Sequence, residues 1–534
     1  MIYVFIIFWL GVALVDYAEM AYIWQLKEYR LDRFNDYLST KQGKDFVKSY
    51  FVAGRATIFL ALILLVYFRL TPTVLTLFII LILEIARIIF KYKQHLLHYP
   101  KKTKKVILVI SLSLLVEFLA LFLVKSTVLV LMILCLRFVI ISLVVGAFYL
   151  PTKFAKNYFI IMAARKLLIN PQVKVIGVTG SYGKSTVKTF LGQILQAKYK
   201  VITTPKNTNT EIGIAKFILE TDFKDVEIFV VEMGAYKIGE IKLICEMVKP
   251  EIGILTAINE QHLSLFGSIR NTQKAKYELL YSLPVEGLAI VNNDNQYCRE
   301  YLDELKSQVK TFGRKSEFKP TGIIKHLKQT VEGIQFDYRL GDAGLKINSP
   351  VVGEHNAMNI APCILVAREL GIANEVIVEE VKKIELPAGT LKVVNYGESI
   401  VLDDSYNANP AGFKAALKVL GSYSSDYKKV VITRGMLELG KKSQSLHKKI
   451  GEEISKFANE LIIINKDNSS DLRSGIVGNQ TEILEIFKAD KLLEKFKEFK
   501  DVKAVVLLEN RAPDSIIQEI NNSVVISNDS EKSL

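Results

Sequence analysis

A glycine-rich segment with one lysine and two small hydroxyl residues stands between an apolar run and a helical pattern. The segment reads Thr179-Gly-Ser-Tyr-Gly-Lys-Ser-Thr186; a β-rich run at 173–178 precedes it and a helical pattern at 187–197 follows it. The backbone N–H groups of such a loop, with the N-terminus of the next helix, can cradle phosphates. Lys184 can reach terminal phosphates, and the Ser185 hydroxyl can bind Mg²⁺. The pattern predicts a nucleotide site, although an ordinary strand–helix turn is the alternative, because Val178 stands where the strict phosphate-loop pattern has its first glycine.

Three further residues could complete a phosphate-transfer site. Glu232 follows an apolar strand pattern at 226–231, and open α/β sheets bind ligands at the C-terminal ends of their strands. Glu232 is therefore a candidate Mg²⁺ ligand opposite Ser185. His262 and Lys276 follow a further buried-type strand pattern. Taken alone, they are more typical of a loop histidine and a solvated helix lysine.

The elements that must position these residues belong to a chain too long for one core. At 534 residues, it should form two to four domains. The chain is half apolar yet 23% charged, and its positive charge is concentrated at the apolar end. Residues 1–150 hold 17 Lys or Arg against 8 Asp or Glu, which points to a membrane and not to nucleic acid. The composition excludes disordered, collagen-like and disulfide-scaffold classes.

Five apolar stretches are long enough to span a membrane: 2–24, 50–68, 71–90, 106–124 and 127–149. The connections 25–49 and 91–105 each carry six Lys or Arg, and the other two carry one each. By the positive-inside rule, the chain is predicted to be a multi-pass plasma-membrane protein with its N-terminus outside and everything after residue 150 in the cytoplasm.

Ionisable residues interrupt these apolar stretches. They could pair inside a helical bundle or extend to the interface; they could line a site for an anionic lipid headgroup; or they could form a transport pathway. The residues are Arg55, Glu84, Arg87, Glu117 and Arg137.

The four cysteines are scattered and include no Cys-x-x-Cys pair. This distribution is typical of a reducing compartment and predicts neither a disulfide framework nor a structural zinc site.

A series of motifs, in order between about 173 and 520, resembles those of the Mur ligases, which build the peptide of cell-wall precursors; the resemblance is greatest to the MurF branch. The glycine loop resembles that family's own phosphate-loop variant, which accounts for Val178. The other motifs are Thr204-Pro-Lys-Asn-Thr-Asn-Thr-Glu-Ile-Gly213, Glu232-Met-Gly-Ala235, His262-Leu263 with Phe266-Gly-Ser268, Lys274-Ala-Lys276, Gly353-Glu-His-Asn-Ala-Met-Asn359, Asp403-Asp-Ser-Tyr-Asn-Ala-Asn-Pro410 and Gly435-Met-Leu-Glu-Leu-Gly440.

The apolar stretches predict an α-helical transmembrane bundle, and the resemblance implies that two α/β domains follow it. The first is a phosphate-loop ATPase domain with a mostly parallel sheet, and the second is a smaller Rossmann-like domain. The expected divisions are a membrane region at 1–150, a connector at 151–172, a central ATP-binding domain at 173–385 and a C-terminal domain at 386–534.

The resemblance also implies roles for individual residues. Lys184, His262 and Lys276 would be catalytic, with Lys276 carbamylated to a metal-orienting anion. Ser185, Glu232 and His262 would bind Mg²⁺. ATP would contact Gly180, Ser181, Gly183, Lys184, Ser185, Thr186, Asn356, Asn359 and Asp404. The other substrates would contact Asn207, Asn209, Asn407, Asn409 and Arg511.

The activity so implied is an ATP-dependent amide ligase that activates a peptide carboxylate as an acyl phosphate and joins it to an amine, D-Ala-D-Ala in the MurF reaction. The partners would be a small-molecule or lipid-linked peptidoglycan precursor, the dipeptide and membrane lipid, with no nucleic acid. Alternatives are a ligase for another peptide-like acceptor, a membrane transporter driven by the phosphate loop, and an inactive ligase-shaped scaffold.

Three departures from the family pattern bear on the substrate. Five apolar stretches stand where the MurF branch carries a soluble UDP-binding domain, so the acceptor could be lipid-linked. Thr390 stands where the family has an arginine, with Lys392 close behind it, and a bidentate phosphate contact is thereby lost. A basic K-G-S-R stretch near the C-terminus reads Glu509-Asn-Arg511 here, which could change the amine that is accepted.

Overall fold

The chain forms two compact units, Met1–Tyr158 and Phe159–Leu534. The computed structural model describes residues 2–27, 29–39, 43–44, 64, 67, 73–94, 97–123, 127–206, 208–259, 266–341, 343–405, 410–436, 443–478 and 480–531.

The first unit is helical. Three of its helices, α1, α4 and α5, contact one another, and α3 packs against α1 and α5. The helices are α1 Ile2–Leu26, α2 Leu31–Ser39, α3 Thr73–Lys93, α4 Lys104–Leu123, α5 Thr127–Ala147 and α6 Tyr149–Leu168; the division of the chain into two units falls within α6.

By length and composition, three helical stretches of the described residues could cross a membrane: Phe5–Leu26, Lys104–Leu123 and Met132–Leu168. They contain the predicted spans 2–24 and 106–124 and most of 127–149. The predicted span 71–90 falls in α3, which is not among the three; the side chains of residues 73–76 lie outside the described part. The predicted span 50–68 also lies outside it, apart from residues 64 and 67.

A network of charged side chains occupies the interior of this helical unit. Arg137 is fully buried and donates to Glu117 Oε1 at 2.7 Å and to Asp16 Oδ2 at 2.9 Å. Arg87 donates to Asp16 Oδ1 at 2.6 Å and to Glu84 Oε2 at 2.9 Å. The expected pairing of Glu117 with Arg137 is therefore observed, while Arg55 lies outside the described residues.

The second unit contains two sheets, and the first is mostly parallel. Its strand order is β2-β3-β1-β4-β5-β6-β7-β8-β9, with parallel pairing as far as β7 and antiparallel pairing among β7, β8 and β9. The strands are β1 Lys174–Thr179, β2 Val201–Thr203, β3 Ile228–Glu232, β4 Ile252–Leu255, β5 Leu288–Asn292, β6 Gln308–Gly313, β7 Gly322–Thr330, β8 Gly333–Leu340 and β9 Ala343–Ser349.

Helices cover both faces of the parallel part, which explains why its central strands are continuous apolar runs. The strand β3, for example, is buried at every position. In the antiparallel part, β9 instead alternates, with Leu345, Ile347 and Ser349 buried and the residues between them exposed, because only one face meets the core. The helices are α7 Lys184–Leu195, α8 Glu211–Glu220, α9 Glu240–Val248, α10 Ile269–Tyr281, α11 Gln296–Arg299, α12 His355–Glu369 and α13 Asn374–Val381.

The second sheet has the strand order β10-β11-β15-β12-β13-β14 and is parallel except for the β10–β11 pair. Its strands are β10 Lys392–Tyr396, β11 Ser399–Asp404, β12 Lys428–Thr433, β13 Glu460–Ile463, β14 Glu482–Glu485 and β15 Ala504–Glu509. The helices around it are α14 Pro410–Ser422, α15 Ser443–Phe457, α16 Ser469–Gly475, α17 Ala489–Glu498 and α18 Asp514–Glu531. The chain forms a helical bundle followed by two α/β layers, each built on a mostly parallel sheet. This architecture confirms the predicted fold class.

Candidate active site

The glycine loop between β1 and α7 lies at the C-terminal edge of the first sheet. Gly180 and Gly183 adopt φ values of +152° and +79°, which side chains rarely tolerate. A Cβ at Gly180 would collide with Thr256 Oγ1, and one at Gly183 would lie 2.6 Å from Asn359 Oδ1. The loop therefore needs glycine at both positions to pass close to its neighbours.

Lys184 begins α7 and folds back over this loop. Its Nζ donates to the carbonyl oxygen of Gly180 at 2.7 Å and to that of Ser181 at 3.3 Å. Burial lowers the pKa of Lys184, and the nearby Glu232 carboxylate opposes that shift. The ammonium group thus lies against the glycine loop. A bound phosphate would replace its two carbonyl contacts.

Glu232 ends β3, the strand next to β1, and its carboxylate is almost fully buried. Its Oε1 accepts from Asn209 Nδ2 at 3.1 Å. Burial alone would raise the pKa of Glu232, but Lys184 and Lys188, together with hydrogen bonds from Asn209 and Ser185, bring the pKa below its ordinary value. An anionic carboxylate therefore faces the hydroxyl of Ser185, and its role as a Mg²⁺ ligand stays a prediction.

Lys188 is a functional candidate that the sequence reasoning missed. Its Nζ lies 3.2 Å from Glu232 Oε2 and donates to the carbonyl oxygen of Thr204 at 2.7 Å. The signal available in the sequence was its spacing, because residues four apart on a helix share a face and Lys188 comes four residues after Lys184.

Lys276 lies in α10, whose first turn is capped by the Ser268 hydroxyl. Its side chain is buried, and its Nζ lies 5.9 Å from the centre of the Phe266 ring. Burial, followed by repulsion from Lys184, lowers the pKa of Lys276 to about 7. A large share of this amine is thus neutral near pH 7, which is the form that reacts with electrophiles. The solvated-lysine interpretation of this position is wrong, because the side chain is buried.

The start of α12 lies against the glycine loop. Asn359 Nδ2 donates to Asn356 Oδ1 at 2.9 Å, and Asn356 Nδ2 donates to the carbonyl oxygen of Val352 at 2.7 Å. Both asparagines are buried, and Asn359 is the neighbour that a side chain at Gly183 would meet. The two residues expected near the base are therefore held together beside the phosphate loop.

Asp404 and Arg511 lie at the C-terminal edge of the second sheet. Asp404 is paired in register with Glu509 on the adjacent strand β15. Burial raises the pKa of Asp404 to about 7, and burial together with the Asp404 carboxylate raises that of Glu509. Asn510 and Arg511 both adopt left-handed φ values, +61° and +42°, and Arg511 N donates to the carbonyl oxygen of Ser405 at 2.6 Å.

The structure thus brings one set of expected residues together and leaves another apart. The set around the glycine loop is Gly180, Ser181, Gly183, Lys184, Ser185, Asn209, Glu232, Asn356 and Asn359. Within the described ranges, no hydrogen bond or ion pair joins Asp404 or Arg511 to that set. Thr390 donates to the carbonyl oxygen of Pro387 at 2.6 Å, a contact inside its own turn. Asn207, His262, Asn407 and Asn409 lie outside the described residues.

The residues present fit a magnesium nucleotide. Glycines keep the loop backbone free of side chains at Gly180 and Gly183, and among the described residues the buried Glu232 Oε2 has an ion pair with Lys188 but no hydrogen bond. Mg²⁺ is usually held by one or two carboxylates or hydroxyls together with phosphate oxygens and water, and Glu232 with Ser185 supplies such a donor set. In the part of the chain that the structure describes, no three His, Cys, Asp or Glu side chains group closely enough to hold a metal without a further ligand.

Comparisons with known proteins match both sheets of the second unit. The Mur ligase middle domain matches residues 178–367, and the Mur ligase glutamate ligase domain matches residues 391–517. The UDP-N-acetylmuramoyl-tripeptide–D-alanyl-D-alanine ligase of Bacillus subtilis is 31% identical over 288 residues, which are 53% of this chain and 60% of that protein. Its Escherichia coli counterpart is 30% identical over 284 residues, 52% of this chain and 61% of that protein. The chain therefore spans less than two thirds of the length of these relatives.

Solved structures support the same fold. A crystal structure of MurF from Acinetobacter baumannii superposes with a TM-score of 0.60 at 23% identity, covering 68% of this chain and 80% of the other. The MurF ligase of Thermotoga maritima in complex with ADP also gives a TM-score of 0.60 at 23% identity, over 69% of this chain and 83% of the other. The resemblance that the motifs indicated is confirmed: with both Mur ligase domains in order over more than half of its length, this chain belongs to the Mur ligase family.

Proposed function

We propose that this protein is an ATP-dependent, membrane-anchored amide ligase of peptidoglycan precursor synthesis that joins D-Ala-D-Ala to a muramoyl-peptide carboxylate. The observation that carries the proposal is the arrangement of Lys184, Ser185 and Glu232 around a glycine loop in a Mur ligase domain. The names of the curated relatives supply the substrate pair.

The chemistry suits this arrangement. A carboxylate resists attack by an amine at neutral pH, so the peptide carboxylate must first receive the γ-phosphoryl group of ATP and become an acyl phosphate. Lys184 and the backbone N–H groups of the loop would neutralise charge on that phosphoryl group. Ser185 and Glu232, with His262, would hold Mg²⁺, which supplies further charge neutralisation when bound. The amine then attacks the acyl carbon, and phosphate leaves.

Lys276 would act as a carbamate. Its pKa of about 7 leaves a neutral amine whose nitrogen can add to the carbon of CO₂, and release of one proton to solvent leaves a carbamate anion. The positive charge of Lys184 disfavours the protonated form of Lys276. The same charge would stabilise a carbamate anion on Lys276 in this buried position. Carbamylation would therefore turn a costly buried cation into a favourable ion pair and help to orient the metal.

The C-terminal domain, which contains the second sheet, would bind the amine substrate. We assign Asn209 and Asn207 to the side of the muramoyl-peptide, and Asn407, Asn409 and Arg511 to that of the dipeptide. Asn356 and Asn359 would contact the base, and Asp404 the ribose or the link between domains. Closure of the C-terminal domain would orient the amine and exclude water from the acyl phosphate. The domain division that goes with these roles is 1–150, 151–172, 173–385 and 386–534.

The helical unit would anchor the enzyme in the plasma membrane, with the N-terminus outside and the two α/β domains in the cytoplasm. Three helical stretches of sufficient length and apolarity, together with the basic connections, support this orientation. The acceptor is then either a soluble UDP-linked precursor or its lipid-linked counterpart.

The test uses the full-length protein in detergent with Mg-ATP, bicarbonate and D-Ala-D-Ala. UDP-muramoyl-tripeptide and its lipid-linked counterpart are offered separately, and mass spectrometry measures addition of the dipeptide. Product from either acceptor supports the ligase. Product from the lipid-linked acceptor alone assigns the helical unit to the substrate site. ATP hydrolysis without product from either would contradict the D-Ala-D-Ala assignment.

Product formation measured in two variants distinguishes a ligase from an inactive scaffold or a transporter. Lys184→Ala should abolish product formation because it removes the phosphate contact, whereas a scaffold would tolerate the change. Lys200→Ala is the matched control, because that side chain is exposed and its nearest carboxylate, Asp225, lies 3.8 Å away. It should leave product formation unchanged.

A further inference from the structure

An aromatic cluster lies where the end of α1, the chain that joins it to α2, and the start of α4 come together. Trp24, near the end of α1, stacks on Phe34 of α2 with ring centres 4.1 Å apart and planes within 9°. Phe34 in turn stacks on Phe138 of α5 at 5.8 Å. Tyr29 joins this group, and Lys105 Nζ lies 4.3 Å from the centre of its ring. We call Trp24, Tyr29, Phe34 and Lys105 the junction cluster.

The backbone at this junction is strained. Tyr29 has φ +55°, an uncommon conformation for a residue with a bulky side chain, and its N–H donates to the carbonyl oxygen of Trp24 at 2.8 Å. Strain of this kind is often found at ligand-binding positions. Here it turns the chain so that the Tyr29 ring meets Lys105 at the first turn of α4.

Two hydrogen-bonding groups of the cluster have no partner among the residues that the structure describes. The indole N–H of Trp24 is buried and finds no acceptor, and neither does the buried hydroxyl of Tyr29. An indole N–H can only donate. Because buried donors are nearly always satisfied, this pair indicates a ligand that brings oxygen acceptors.

The surroundings are cationic. Lys101, Lys102 and Lys104 are exposed, and within the described residues none of them forms an ion pair with a carboxylate. The segment before α4 is fixed to the end of α1, because Gln25 Nε2 donates to the carbonyl oxygen of Lys101 at 2.9 Å and Lys101 N donates to Gln25 Oε1 at 2.7 Å. The first turn of α4, where the helix dipole favours anions, lies at this same place, although Thr103 Oγ1 already accepts from the Val106 N–H there.

We propose that the junction cluster binds the phosphate of an anionic lipid headgroup. The Trp24 N–H and the Tyr29 hydroxyl would donate to phosphate oxygens, Lys105 and the neighbouring lysines would neutralise the charge, and the acyl or prenyl chain would lie along α1 and α4. The proposal rests on the membrane placement proposed above, in which this end of α1 faces the cytoplasm. The phosphate could belong to a bulk phospholipid or to a polyprenyl phosphate that carries a cell-wall precursor.

The test measures lipid binding by native mass spectrometry of the full chain in a neutral detergent, without ATP. The probes are phosphatidylglycerol, a polyprenyl monophosphate and, as a zwitterionic comparison, phosphatidylcholine. Both anionic lipids should bind at least tenfold more tightly than phosphatidylcholine. A preference for the polyprenyl phosphate would assign the site to the precursor lipid, and equal binding would assign it to phospholipid anchoring.

Isosteric variants then locate the site. Trp24→Phe and Tyr29→Phe remove the two donors and keep the rings, and each should weaken binding of the anionic lipids about ten- to a hundredfold, as loss of one hydrogen bond to a charged group does. Combined Lys101→Gln, Lys102→Gln and Lys104→Gln should weaken it further and make it less sensitive to salt. The controls are Lys153→Gln, which removes an exposed charge from α6, and Tyr99→Phe, which removes an exposed hydroxyl.

Binding that is unchanged in Trp24→Phe, Tyr29→Phe and the lysine variant would overturn the proposal, as would equal binding of phosphatidylcholine. Lys184→Ala separates this inference from the ligase proposal, because it should lose ligation and keep lipid binding.

Discussion

Lys188 Nζ lies 3.2 Å from Glu232 Oε2, and both side chains are at least 95% buried. Lys188 binds the Glu232 carboxylate that faces the phosphate loop. Its positive charge therefore partly neutralises the carboxylate, as a bound metal ion would. Removing one partner of a buried pair leaves an uncompensated charge. We therefore expect Lys188→Met to lower the free energy of unfolding by about 3 kcal/mol, measured by chemical denaturation without nucleotide.

The double variant Lys188→Met/Glu232→Gln should recover much of this loss, because no unpaired charge remains. Lys200→Met is the matched control, since its partner Asp225 is 3.8 Å away and both are largely exposed. It should change stability by less than about 0.5 kcal/mol. Equal losses in the two single variants would show that the Lys188–Glu232 pair is not a stabilising interaction.

Lys276 should lower the free energy of unfolding of the chain, although ligation requires it. Its pKa is about 7 in the folded chain and near 10.4 when unfolded, so folding releases a proton between these values, and the cost of burying the lysine is largest at or below pH 7. In bicarbonate-free buffer, Lys276→Met should raise the free energy of unfolding by about 3 to 4 kcal/mol at pH 7, and this gain should shrink towards pH 10. Ligation should be lost.

The control for that variant is Lys274→Met, two residues earlier in the same helix and exposed. It should leave both stability and ligation near those of the unaltered chain. A Lys276→Met variant that ligates at the normal rate, with no dependence on bicarbonate in the unaltered chain, would argue against the carbamate.

Asp404 and Glu509 form an acidic pair on adjacent strands, and both pKa values are raised. Acids with raised pKa values keep protons in the folded state, so stability falls as pH rises from about 4 to about 7. Glu509→Gln removes the repulsion, and we expect it to increase stability by about 2 kcal/mol at pH 8 and by nothing at pH 4. Thermal denaturation across that range measures the difference.

Glu482→Gln, on the exposed edge strand β14, is the comparison. Its Tm should follow that of the unaltered chain at every pH. If Glu509→Gln shows the same pH profile as the unaltered chain, the two carboxylates do not interact.

The helical unit should depend on Arg137. This side chain is fully buried and binds both Glu117 and Asp16, so Arg137→Met removes the cation that pairs with Glu117 and leaves Asp16 with Arg87 alone. The loss should be at least about 3 kcal/mol and should appear as a lower melting temperature in detergent. The double variant Arg137→Met/Glu117→Gln should melt at a higher temperature than the single one. Lys153→Met provides an exposed control on α6.

Much of the fold could be predicted because parallel strands and glycine loops have strong local signals. The strand pattern at 173–178 and the helical pattern after 187 correspond to β1 and α7. The edge strands β10 and β14 were not anticipated, and neither was the antiparallel part from β7 to β9. Edge strands are short, and half-exposed strands contain polar residues, so their apolar signal is weak.

The site could be predicted where one motif contains several of its members. Lys184 and Ser185 stand at the start of α7 and Glu232 at the end of β3, as the strand and helix patterns indicated, and their roles stay predictions. The Lys188–Glu232 pair was missed, although Lys188 lies one helical turn after Lys184. The Asp404–Glu509 pair could not be predicted, because the two strands that bring it together are far apart in sequence. The burial of Lys276 likewise depends on packing around α10, which a single helical pattern does not reveal.

The ion pair between Asp16 and Arg137 also bears on how the chain is made. The two residues stand 121 positions apart, in the first and fifth helices of the unit. In the proposed membrane setting, α1 leaves the ribosome long before α5 and would carry Asp16 into or beside the bilayer before its partners, Arg87 of α3 and Arg137 of α5, have been made. Its final position can be reached only once α5 arrives, so insertion of this unit must be completed late in translation. Nascent chains that end before residue 137 should therefore be targets for membrane proteases.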